Sequence, residues 1–171
     1  CDVNLVDTCV NTNYVGSVNV TEAFLPLICD GGRIIFNSSR SGTLNIILKD
    51  ENIKQEILKQ DLTQNRLEEI LSQFRKEVEK DGKLSNSSFK HSSMGGVAYG
   101  VSKMAMSAYS RIMALKLSKR KIFVGAYCPG YTKTEMNRYE GNRTPKNGAR
   151  GLELLCFEEG ILNQSGRFWG I

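Results

Sequence analysis

The sequence predicts an α/β fold built on a parallel sheet. Two apolar runs, Arg33-Ile-Ile-Phe36 and Ile122-Phe-Val-Gly-Ala-Tyr127, each stop at small or polar residues, and a long helical pattern lies between them. A third short run, Arg167-Phe-Trp-Gly170, follows another helical pattern. Strands and helices therefore alternate, the rhythm of a parallel sheet covered by helices on its faces. With 171 residues, 40% hydrophobic and 24% charged, the chain has the composition of one ordinary globular domain. No apolar run approaches the roughly 20 residues that a membrane helix needs, so no membrane partner is expected.

Each element has its own signal. Val10, Tyr14, Val18 and Thr21, then Phe24, Leu25 and Ile28, recur at steps of three and four and predict a helix ending between Pro26 and Asp30. After Gly31-Gly32, the β-branched and aromatic run to Phe36 reads as a buried strand feeding the loop Asn37-Ser-Ser-Arg-Ser-Gly42. Residues 43–94 read as an excursion from the sheet. Leu67, Ile70, Leu71, Phe74 and Val78 lie at helical spacing there, Asn65-x-x-Glu68 is the expected capping box, and Asp81 to Gly96 is the expected flexible close. From Tyr99, the positions Val101, Ala105, Ala108, Tyr109, Ile112, Met113, Leu115 and Leu117 form the apolar face of a long helix. The basic turn Lys119-Arg-Lys121 leads into the second strand, which runs into the turn Cys128-Pro-Gly130. Thr144 then caps a helix with Pro145 at its first position, running through Leu152 and Leu155.

Composition narrows the function. Five cysteines at wide spacings, with no C-x-x-C pair and a single histidine, His91, argue against a zinc site or a disulfide framework and for a reducing, cytoplasmic setting. No metal site is expected. The N-x-S/T sequons at Asn19, Asn37, Asn86, Asn142 and Asn163 are read as chance in an Asn- and Ser-rich chain. The formal charge is +5, concentrated between Arg111 and Arg150, where ten Lys/Arg face the two acids Glu135 and Glu140. Such a segment attracts phosphate or forms a solvated face, but no nucleic-acid reading motif or aromatic platform accompanies it, so no nucleic-acid partner is expected. His91 is expected to be inert, and Met94 is a candidate to line a substrate mouth.

Tyr99-Gly-Val-Ser-Lys103 places a phenol and an ammonium one turn apart on one helix face. A nearby positive charge stabilises phenolate and would lower a tyrosine pKa from about 10, as acid/base work near neutral pH requires. Alone, such a spacing arises by chance about once in two chains of this composition. Its surroundings carry the argument. A strand ends upstream in Ser38-Ser39, whose hydroxyls can donate hydrogen bonds; a strand ends downstream in Cys128-Pro-Gly-Tyr-Thr-Lys-Thr134. Parallel-sheet enzymes bind ligands at the carboxyl ends of their strands.

These residues resemble the short-chain dehydrogenases/reductases. Thr12-Asn-Tyr-Val-Gly16 is similar to the family's N-x-x-G helix segment, Gly32-Arg-Ile-Ile-Phe-Asn-Ser-Ser39 to its serine strand, Tyr99 to Lys103 to its Y-x-x-x-K helix, and Pro129 to Thr134 to its P-G-x-x-x-T turn. Ser39 and Tyr99 stand 60 positions apart, more than in most of the family. That insertion resembles the carbonyl reductase branch, as do Thr144 to Ala149 and Ser165 to Trp169. The resemblance implies the C-terminal part of a Rossmann-like, doubly wound parallel sheet, with a helical insertion between the catalytic serine and tyrosine. It also implies NADPH as cofactor, a small-molecule ketone or aldehyde as substrate, and a monomer at full length. Tyr99 would protonate the carbonyl oxygen, and Ser39 would hold it. Lys103 would tune Tyr99 and bond the nicotinamide ribose, and Asn13 would anchor a water relaying protons to Lys103. Pro129, Gly130, Thr132 and Thr134 would orient the nicotinamide end of the cofactor.

The chain departs from the family's pattern in one large respect. The glycine-rich T-G-x-x-x-G-x-G loop and the N-N-A-G strand end are absent from it, and it opens at Cys1 with neither methionine nor a charged-then-apolar leader. It is therefore expected to be a partial short-chain dehydrogenase/reductase domain over 1–171, with an open apolar sheet edge and weak dinucleotide binding by itself. Thr132 replaces an aliphatic residue and Asn37 an apolar one, both smaller departures. The alternative is a truncated, non-catalytic paralogue that acts as a binding or interaction protein.

Overall fold

The computed structural model describes residues 1–90 and 96–170; His91 and Met94, with the expectations placed on them, lie outside the described residues. Three parallel strands, β1 (Arg33–Asn37), β2 (Phe123–Cys128) and β3 (Phe168–Gly170), lie in the order β1-β2-β3. The central strand β2 is buried at every position, as expected of a parallel strand covered on both faces. Among the described residues β1 hydrogen-bonds on one side only, so the sheet has an unpaired edge there.

One face of the sheet is covered by helix α6 (Val97–Lys116), which buries fourteen of its twenty residues. Beside α6 runs a single long helix made of α1 (Val3–Cys9), a π-helical stretch (Val10–Val15) and α2 (Gly16–Phe24). It begins seven residues before the predicted start because Asp2 caps it, accepting the Leu5 amide at 2.9 Å. It ends as predicted, where Pro26 sits in the one-turn segment Leu25–Leu27. Tyr109 knits these layers together: it meets Tyr14 and Phe36 edge-on, with centroids 6.0 and 5.6 Å apart. On the opposite face α7 (Pro145–Phe157) lays Leu155 against Phe123, Tyr127 and Ile161. Thr144 accepts the Asn147 amide, the expected cap.

The insertion carries α3 (Leu44–Ile47), α4 (Glu51–Leu58) and α5 (Gln64–Lys80). All five predicted apolar positions of α5 are buried, each contributing about 1.5 to 3 kcal/mol of transfer free energy. Two expectations here are corrected. Thr63, not Asn65, caps α5 by accepting the Arg66 amide at 3.2 Å; Asn65 is already helical, and Glu68 instead accepts from the Tyr14 hydroxyl. The segment expected to be a flexible close is pinned as far as residue 90. Asp81 accepts the Lys83 and Ser85 amides, Leu84 and Phe89 enter the core, and Phe89 pairs with Leu48 and meets Phe74 at a tilt, ring centroids 4.7 Å apart.

Candidate active site

The loop after β1 is pressed on to α6 so closely that two glycines are required. A Cβ on Gly42 would lie 2.4 Å from the Met104 nitrogen, and one on Gly100 would lie 2.8 Å from the Ser41 carbonyl oxygen. This contact carries Ser39 to Tyr99. The two serines then point to different tasks, as successive residues of an extended chain must. Ser38 is buried and bonds to the Lys103 carbonyl oxygen at 2.9 Å and the Ser107 hydroxyl at 2.8 Å. Ser39 caps the turn Arg40–Gly42 through the Ser41 amide and donates to the Ser41 hydroxyl at 3.2 Å, and it stands close enough to the Tyr99 phenol to act on its pKa.

Tyr99 is half-buried, and burial pushes its pKa above the usual 10; the nearby Ser39 hydroxyl pulls the other way, while Cys128 and Cys9 add to the rise. Lys103 is nearly buried, and loss of hydration pushes its ammonium below the usual 10.5. Its Nζ donates to the Asn37 carbonyl oxygen at 2.8 Å and lies 5.6 Å from the Tyr99 ring centroid. The net shift of Tyr99 is upward, the opposite of what the nearby charge by itself would produce. Desolvation dominates for both groups, leaving Tyr99 a protonated donor at neutral pH.

Asn13 sits in the π-helical stretch, where the Gly16 amide reaches back five residues to the Asn11 carbonyl. Its side-chain amide donates to the Ser102 hydroxyl at 2.9 Å, and its carbonyl oxygen accepts from the Ser17 hydroxyl at 2.6 Å. The structure therefore brings Asn13, Ser39, Tyr99 and Lys103 together through α6.

The turn after β2 forms the other part of the site. Gly130 has φ +76°, and the Arg143 side chain lies where a Cβ would project. The Thr132 hydroxyl donates to the Pro129 carbonyl oxygen at 3.2 Å, and the Thr134 amide donates to Asn137 Oδ1 at 3.2 Å. Thr132 thereby holds the turn's own shape, and Thr134 opens the turn Glu135–Asn137. Cys128, the last residue of β2, is buried and accepts the Arg40 amide at 3.3 Å, tying the two strand ends. Gly42, Gly100 and Ser102 were given no role by the sequence reading, and Ser38 was grouped with Ser39 although the structure separates their tasks. For Gly100 and Ser102 the available signal was small and polar residues interrupting the apolar helical pattern of α6.

Residues 84–144 match the family model described as short chain dehydrogenase. The chain is 32% identical over 156 residues to (+)-neomenthol dehydrogenase of Capsicum annuum, covering 89% of this chain and 47% of that protein. It is 28% identical over 144 residues to carbonyl reductase [NADPH] 3 of Rattus norvegicus, covering 82% and 50%. The solved structure of salutaridine reductase from Papaver somniferum superposes with a TM-score of 0.83 at 32% identity, over 98% of this chain and 55% of that one. The chain spans about half the length of the curated relatives it matches.

Proposed function

Since the chain belongs to the short-chain dehydrogenases/reductases of carbonyl-reductase-like kind, we propose that it carries the proton-donating part of an NADPH-dependent reductase of small ketones or aldehydes. The observation that carries this reading is the grouping of Tyr99, Ser39 and Lys103, with the buried ammonium 5.6 Å from the ring of a half-buried phenol. A carbonyl oxygen seated against Ser39 accepts its hydrogen bond, and Tyr99 delivers a proton to that oxygen as negative charge develops there. Lys103 holds positive charge next to the phenolate left behind, while Asn37 fixes its ammonium in place.

The residues present fit the nicotinamide end of a dinucleotide. Tyr99, Lys103 and the Pro129-Gly130 turn converge at the carboxyl ends of β1 and β2, where parallel sheets receive such groups. NADPH, when bound, supplies the hydride. Tyr99 and Lys103 would hold the ribose, Asn13 would serve the proton supply to Lys103, and Pro129, Gly130, Thr132 and Thr134 would orient the carboxamide. NADPH in preference to NADH is supported by the similarity to the rat relative, carbonyl reductase [NADPH] 3. A cytoplasmic setting and a monomeric state complete the reading.

The test is NADPH oxidation by the protein carrying this sequence, with a generic quinone or ketone, beside Tyr99→Phe. Loss of about 10² to 10⁴ in kcat on that substitution is expected. Turnover indifferent to Tyr99→Phe would overturn the proposal. Absence of NADPH binding and turnover in the 171-residue segment alone is what an enzyme fragment would give, whereas their absence in a longer protein that also supplies a glycine-rich loop would favour the non-catalytic alternative.

A further inference from the structure

We propose that Ser102 is a positioning residue for the proton donor: its hydroxyl joins Asn13 to the helical turn bearing Tyr99 and Lys103, and so sets where that turn stands. This rests on the reading of Tyr99 as the proton donor. Ser102 is completely buried in the interior of α6, between the two residues of the acid/base pair. A buried hydroxyl without partners is costly, and Ser102 uses both of its capacities. It donates to the Tyr99 carbonyl oxygen at 2.8 Å and accepts the Asn13 amide at 2.9 Å. In an α-helix that same carbonyl also receives the Lys103 amide, so a single oxygen joins Tyr99, Ser102 and Lys103.

The other end of the link is equally held. Asn13 lies in the π-helical stretch, and Ser17, whose own carbonyl accepts from the Thr21 hydroxyl at 2.7 Å, donates to the Asn13 carbonyl oxygen. Hydroxyls thus tie Thr21 to the Ser17 backbone, Ser17 to the Asn13 backbone and Ser102 to the Tyr99 backbone, and the Asn13–Ser102 side-chain bond crosses from one helix to the other. A π-helical turn is rare and persists where the surroundings hold it. The Asn13–Ser102 bond is the polar tie that docks it against the Tyr99 turn. Ser102 meets neither substrate nor cofactor in this account; it acts through the backbone of Tyr99.

The experiment combines Ser102→Ala, Asn13→Ala, their double variant and Ser102→Thr, which restores the hydroxyl. Tyrosine labelled with ¹³C at Cζ reports the Tyr99 titration by NMR, assigned with Tyr99→Phe, and requires no turnover. Each alanine variant should move the Tyr99 midpoint by about half a pH unit or more, the double variant no further, and Ser102→Thr should return it. Where turnover is measurable, kcat should fall about tenfold with KM nearly unchanged. An unmoved Tyr99 midpoint in Ser102→Ala, or shifts that simply add in the double variant, would overturn the proposal. If the coupled shifts appear in a protein that turns over no carbonyl, the tie stands and the reductase reading fails. Asn13→Ala probes the same bond without altering the interior of α6, so poor folding of Ser102→Ala leaves the question decidable.

Discussion

The Lys103 ammonium donates to the Asn37 carbonyl oxygen at 2.8 Å, closing the carboxyl end of β1 on to the middle of α6. The bond holds a positive charge in a nearly buried position beside Tyr99, at a cost in hydration that its lowered pKa records.

That cost predicts a trade between stability and activity. A lysine whose folded pKa lies below its unfolded value binds fewer protons when folded, so stability rises with pH from the folded pKa up to about 10.5. Lys103→Met should raise the urea midpoint at pH 7, flatten that rise and abolish the carbonyl reduction proposed above. A lower midpoint at pH 7 would show that the bond to Asn37 outweighs the desolvation.

Alkaline pH acts on two other phenols with the opposite sign. Tyr14 and Tyr109, bonded to Glu68 and Glu22, are pushed far above the usual range chiefly by burial. Their contribution is complete below the unfolded value of about 10 and is lost as pH rises toward their folded values. Urea unfolding at pH 8 and 11 should show a fall in stability that is reduced in Tyr14→Phe and Tyr109→Phe.

Gly42→Ala inserts a methyl 2.4 Å from the Met104 nitrogen, and backbone cannot yield there cheaply. A loss of about 1 to 3 kcal/mol is expected, with weakened coupling between Ser39 and Tyr99. Chemical denaturation measures the first and the Tyr99 titration the second.

The cap of α5 is decided by a pair of variants. Thr63→Ala should cost about 1 kcal/mol, whereas Asn65→Ala, inside the helix, should change stability little or slightly raise it. Equal losses in both would restore the capping box anticipated at Asn65.

The β1 and β2 runs, the α6 pattern from Tyr99 onward and the Thr144-Pro145 start of α7 were legible because each rests on local periodicity or capping chemistry. The start of α1 at Val3 was less so. Its cap, Asp2, is an ordinary acidic residue until the chain beyond it is seen to coil. Pinning of residues 81–90 could not be read locally either, because Phe89 is held by Leu48 and Phe74, distant in sequence.

The sequence by itself determined the order of strands and helices and the presence of a Tyr99 and Lys103 pair one turn apart, since periodicity and spacing are properties of neighbours along the chain. Only the tertiary structure decided that Ser39 faces Tyr99 while Ser38 turns to Lys103 and Ser107, and that Asn13 reaches Ser102. It also decided the direction of both pKa shifts. A spacing of four residues brings a charge near a phenol, but burial, which is set by everything packed around the two groups, governs how strongly each holds its proton.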